Sequence, residues 1–123
     1  MKQVVVCEDD DAFRTTLSQA LAREFTVTEA NCGRAALDKC LEVKPDVLVI
    51  DFSLPDLNAN EVCKMIETDA RYGAPRIIVM TGQYQESGKV DYKKSYDTAF
   101  TVDAYFNKPF DSELLIQRIK QLR

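Results

Sequence analysis

Short apolar runs and longer amphipathic stretches alternate along this chain of 123 residues. Val4 to Cys7 is an unbroken apolar run, the pattern of a strand covered on both faces. Phe13, Leu17, Ala20, Leu21 and Phe25 then recur at helical spacing. Residues 25–29 alternate and are rich in Thr and Val, which predicts a second strand. Ala36, Leu37, Cys40 and Leu41 mark a second helix closed off by Pro45, and residues 46–50 read as a third strand. Asn58 with Glu61 three residues on forms a capping-box signature, opening a helix that carries Val62, Met65 and Ile66. Residues 76–81 and 102–106 predict a fourth and a fifth strand, and a last helix starts near Asp111 with Leu115, Ile119 and Leu122 on one face. The intervening stretch 82–101 is polar, carries Tyr84, Tyr92 and Tyr96, and predicts a loop followed by a short helix.

Five strands alternating with five helices imply an α/β fold, a parallel sheet with helices on both faces. The length suits one domain, 1–123, with a single sizeable core. Internal repeats, low-complexity segments and linkers are absent from the sequence.

This frame gives meaning to the charged residues that follow the strands. Glu8 and Asp9 come after the first, Asp51 after the third and Lys108 after the fifth. In an open parallel sheet the carboxyl ends of the strands form the ligand crevice. Three carboxylates gathered there repel one another unless a cation lies between them. The cluster therefore predicts a divalent metal and phosphate chemistry.

Composition narrows the chemistry further. Net charge is −4, with 16 basic and 20 acidic residues, which argues against direct nucleic-acid binding. Lys93-Lys94 and Arg118, Lys120 and Arg123 read as solvated helix faces. Histidine is absent, so Ser-His and Cys-His nucleophiles and a histidine general base are excluded. The four cysteines, Cys7, Cys32, Cys40 and Cys63, form no C-x-x-C pair and predict buried free thiols in a reducing, cytoplasmic setting. The chain opens without a signal-peptide pattern, and its apolar runs fall short of a membrane span, so a membrane role is not expected.

With the elements in place, four motifs fall in order at the strand ends. They are the acidic pair within Val6-Cys7-Glu8-Asp9-Asp10, the segment Asp51-Phe52-Ser53-Leu54-Pro55-Asp56, Thr81-Gly82, and Tyr105-Phe106-Asn107-Lys108-Pro109-Phe110. Over its whole length the chain resembles the receiver domain of two-component response regulators, in particular the single-domain, chemotaxis-regulator type. The resemblance implies a doubly wound, flavodoxin-like sheet in the order 2-1-3-4-5. It implies that Asp51 is the phosphoacceptor, a carboxylate nucleophile forming an aspartyl-phosphate. Glu8, Asp9, Asp51 and the backbone carbonyl of Ser53 would hold Mg²⁺ or Mn²⁺, and Lys108 would pair with Asp51 and then with a phosphate oxygen. Thr81 would donate its hydroxyl to that phosphate, and Tyr105 would move with it. A cis peptide is expected between Lys108 and Pro109.

The implied function is a phosphorylation-dependent switch in a two-component phosphorelay. The phosphoryl group would come from a sensor histidine kinase or phosphotransfer protein. An output partner would read the face made by the helix expected within 82–101, the fifth strand and the last helix. Catalysis would be limited to self-phosphorylation and autodephosphorylation. The chain departs from the family pattern in Glu8, where many members carry Asp, in Ala59-Asn60, where a glycine is common, and in a longer interval from Thr81 to Lys108. Competing readings are an interaction module of the same fold without phosphorylation and a Mg²⁺-dependent phosphatase with an aspartate nucleophile. The phosphatase normally has a second acid two residues after its nucleophile, where this chain has Ser53. A flavin-binding form of the fold fits less well, because the turn after the first strand is acidic.

Overall fold

The computed structural model of the chain describes residues 1–82 and 102–122. Its strands are β1 (Gln3–Cys7), β2 (Thr26–Ala30), β3 (Val47–Asp51), β4 (Arg76–Thr81) and β5 (Ala104–Asn107). All pairings are parallel, in the order β2-β1-β3-β4-β5. Among the described residues the helices are α1 (Asp11–Leu21), α2 (Gly33–Val43), α3 (Ala59–Glu67) and α4 (Ser112–Gln121). The helix expected within 82–101, the lysine pair 93–94 and the three tyrosines lie outside the described residues. No helix among the described residues is long and apolar enough to cross a membrane.

Strand side chains alternate between the two faces, so each central strand feeds two cores. Val5, Cys7, Leu48, Ile50, Ile77 and Val79 pack with α2 and α3. Val4, Val6, Val47, Val49, Ile78 and Met80 pack on the other side with Leu17 and Leu21 of α1 and Leu115, Ile116 and Ile119 of α4. This double burial explains why β1, β3 and β4 read as continuous apolar runs rather than as alternating ones.

Helix starts follow local chemistry. Asp10 caps α1, accepting from the Phe13 N–H at 3.0 Å. Asn58 and Glu61 form the expected capping box on α3, and Ala59 begins that helix fully buried. Asp111 caps α4. Cys32 differs from the expectation of a buried thiol. It is half-buried and caps α2, its Sγ accepting from the Ala35 N–H at 3.5 Å, whereas Cys7, Cys40 and Cys63 are buried.

Element boundaries shift by one or two residues for identifiable reasons. Phe25 belongs to the turn after α1, where its N–H donates to the Leu21 carbonyl, so β2 starts at Thr26. A short 3₁₀ turn at Ala70–Tyr72 has no counterpart in the periodicity; Asp69 caps it and Gly73 closes it at φ 80°. Leu122 is the residue that follows α4, partly buried and packed against the same core as Leu115 and Ile119.

Candidate functional site

The ladder between strands brings the site together. Cys7 lies opposite Ile50, so the next residues, Glu8 and Asp51, emerge side by side. Asp51 is the last residue of β3 rather than the first beyond it, and it lies opposite Met80. Three backbone bonds carry the ladder past the strand ends: Glu8 N–H to the Ala30 carbonyl, Phe52 N–H to Met80, and Lys108 N–H to Thr81. Side-chain parity places Glu8 with Val6, Asp51 with Val49 and Lys108 with Phe106, all directed to the face that carries α1 and α4.

The result is a compact charged group. Ligand oxygens of Glu8, Asp9 and Asp51 lie within 4.8 Å of one another. Glu8 is 1% exposed, while Asp9 faces solvent. Lys108 Nζ pairs with Glu8 Oε1 and stands 3.2 Å from Asp51 Oδ1. The second Glu8 oxygen accepts from the Asp10 N–H at 3.0 Å. The Lys108-Pro109 peptide is cis.

Electrostatics follow from this crowding. Burial first, and then the Glu8 charge, raise the Asp51 carboxyl, Lys108 pulls it back, and the balance leaves it at about 6. Burial alone would lower the Lys108 ammonium, but its hydrogen bond to Glu8 and the Asp51 charge outweigh that effect and raise it. Lys108 therefore remains a fixed positive charge beside a carboxylate that burial and a neighbouring acid disfavour. The hard oxygen donors suit Mg²⁺ or Mn²⁺, and a partly exposed cluster leaves room for the waters such an ion keeps. The thiols do not contribute: burial raises Cys7 far above its ordinary range and lifts Cys40 and Cys63 to about 12, leaving them inert.

The remaining anticipated residues frame the cluster. Thr81 ends β4 fully buried. Tyr105 lies opposite Val79, two residues before Thr81, and packs partly buried against the core under α2 and α3. Thr81 and Tyr105 thus share one sheet face on adjacent strands, the opposite face from Asp51 and Lys108. Ser53 is exposed in the loop that follows β3.

Two supporting residues were not legible as such in the sequence. Arg14 donates to the Glu8 carbonyl at 2.8 Å and pairs with Asp11 and Glu29, joining α1 and β2 to the end of β1. Asp56 accepts from the N–H groups of Gly33 at 2.7 Å and Arg34 at 2.9 Å, joining the loop after Asp51 to the start of α2. A Cβ on Gly33 would lie 2.7 Å from the Leu57 Cβ, so this approach requires glycine. Only the position of Asp56 within the 51–56 segment hinted at its role.

The model of the "Response regulator receiver domain" family matches residues 4–120. "Response regulator ArlR" of Staphylococcus epidermidis is 31% identical over 121 residues, which is 98% of this chain and 52% of that protein. The chain thus spans about half the length of that curated relative. Among solved structures, the chemotaxis response regulator CheY4 of Vibrio cholerae superposes with a TM-score of 0.84 at 23% identity, covering 100% of this chain and 99% of that one. The receiver domain of the sensor histidine kinase PA1611 from Pseudomonas aeruginosa, solved with a magnesium ion in its active-site cleft, gives 0.81 at 19%, covering 98% and 96%. With the fold and its parallel order already established, the match across nearly the whole chain leads to one conclusion: the chain belongs to the receiver domain family of two-component response regulators.

Proposed function

We propose that Asp51 is the phosphoacceptor of this receiver domain and that 1–123 acts as one phosphorylation-controlled unit. The observation that carries the reading is the convergence of Glu8, Asp9, Asp51 and Lys108 within one crevice. An Asp51 carboxylate oxygen attacks phosphorus, an acyl phosphate forms, and the donor leaves with the electrons of its former bond to phosphorus. Lys108 turns its ammonium from the carboxylates to a phosphoryl oxygen, acting as a compact point charge. Mg²⁺ or Mn²⁺ on Glu8, Asp9, Asp51 and the Ser53 carbonyl would relieve carboxylate repulsion and neutralise charge on the transferring group. The donor is a sensor histidine kinase or a phosphotransfer protein, and the signal ends when water attacks the phosphorus of the domain's own acyl phosphate, releasing inorganic phosphate and restoring the Asp51 carboxylate. The cytoplasm is the compartment where such donors act.

The phosphate also drives the switch. It adds charge and acceptor oxygens beside β3. The Thr81 hydroxyl moves to donate to one of those oxygens, and Tyr105, diagonal to it on the same face, shifts into the space released. The face containing β5 and α4 then favours a second packing that an output partner distinguishes.

Intact mass spectrometry after incubation with acetyl phosphate and Mg²⁺ tests the assignment. One added phosphoryl group is expected on the wild-type chain and none on Asp51→Asn. Modification that persists in Asp51→Asn places the acceptor elsewhere.

A further inference from the structure

The geometry points to Phe13 as a positioning residue for Lys108, holding its ammonium on the α1 side of the crevice. The inference rests on the proposed role of Lys108 in phosphoryl transfer. Lys108 Nζ lies 4.6 Å from the centroid of the Phe13 ring, within the range of a cation–π contact. Phe13 falls on the helical repeat that continues through Leu17, and by sequence it reads as an ordinary core residue of α1. It is only half-buried, however, and its ring meets a charge.

The ring is itself held in place. Its residue is in the first turn of α1, where the Phe13 N–H donates to the capping Asp10. The Phe13 ring packs T-shaped with that of Phe110, centroids 5.9 Å apart at 84°, and Phe110 packs with Phe106 at a centroid distance of 5.3 Å and 62°. Phe106 and Phe110 flank Lys108 two residues to either side. The three rings therefore fix the lysine backbone from both directions and place a π face at the end of its flexible stem.

The contact differs in kind from the two ion pairs. Glu8 and Asp51 are also members of the cation cluster, and Asp51 is the acceptor. Either carboxylate changes its bonding during the reaction; the Phe13 ring does not. It is a neutral, preorganised partner that keeps the ammonium near the crevice while the carboxylates exchange partners. A leucine or methionine fills similar volume without attracting a cation.

Two measurements test this. In the metal-free wild-type protein, NMR should show the Lys108 side-chain protons shifted upfield by the ring current relative to those of Lys120, which pairs with Glu24 on the surface. Phe13→Leu should abolish that shift and slow phosphorylation by acetyl phosphate about tenfold, whereas Phe13→Tyr should retain both properties. Ordinary Lys108 shifts in the wild type overturn the inference, and that result needs no variant to fold. A Phe13→Leu protein that is phosphorylated at the wild-type rate also overturns it. Loss of rate in Phe13→Leu and Phe13→Tyr alike overturns it as well, since only packing would then matter. Phosphorylation persisting in Asp51→Asn would instead remove the underlying assignment, whatever Phe13 does.

Discussion

Asp51, the last residue of β3 before the loop begins, is buried beside Glu8 and Lys108, and its carboxyl is pushed up to about 6, chiefly by burial. At the far end of the same loop Asp56 faces solvent, and hydrogen bonds from the Arg34, Gly33 and Leu57 N–H groups hold its carboxyl down at about 2. The residue type is the same, and so is the connecting segment. Backbone donors stabilise one charge, while desolvation and a like charge disfavour the other. A carboxylate saturated by backbone donors braces structure. One held among other charges, with its best partner a movable lysine, is available for bonding to phosphorus or a metal.

Removing the movable charge should break this contrast most strongly. Lys108→Ala leaves Glu8 and Asp51 facing each other and removes the cation offered to the phosphoryl oxygens. Its phosphorylation rate with acetyl phosphate should fall by about a hundredfold or more, as for loss of a preorganised electrostatic group. A rate within threefold of wild type would show that Lys108 is only a structural counter-ion.

The second test concerns the energetic cost of keeping Asp51 ionised. Its folded carboxyl titrates above the unfolded value, so native Asp51 binds a proton at pH values where the unfolded chain has released it. Its contribution to stability therefore falls as pH rises from about 4 through about 6. In chelated, metal-free buffer, Asp51→Asn should gain up to about 3 kcal/mol over wild type at pH 7 and little at pH 4. Urea denaturation across that range measures the difference. An advantage independent of pH would assign the effect to packing rather than ionisation.

The smallest expected effect lies at the other end of the loop. Asp56 is depressed, so its contribution is present above the unfolded carboxyl range and fades as pH falls toward about 2. Asp56→Ala removes a partner of the α2 N-terminus and should cost about 1 kcal/mol at neutral pH. Because the loop also carries Ser53 and begins directly after Asp51, a modest loss of Mg²⁺ affinity, severalfold by titration, should accompany it. Unchanged stability and unchanged affinity would mean that Gly33 and Leu57 hold this contact by packing alone.

Much of this molecule is legible in one dimension, because its strands are short, apolar and buried on both faces. Their spacing identified β1, β3 and β4, and the strand ends identified Glu8, Asp9, Asp51 and Lys108 as a group. Caps with strictly local chemistry, such as Asn58 with Glu61, were equally readable. The sheet order came through family resemblance, since alternating elements by themselves leave the order open.

Other features depend on contacts between residues far apart in the chain. Lys108 pairs with Glu8 as well as Asp51 because parallel register brings the ends of β1, β3 and β5 to one level. Asp56 reaches the start of α2 only because Gly33 admits the loop so closely. Phe13 has the periodicity of a core residue; the arrival of Lys108 from β5 makes its ring a cation partner. Residue type and local spacing thus determined which chemical groups lie at the strand ends. Tertiary structure decided their desolvation and their partners, because both depend on distances that span nearly the whole chain.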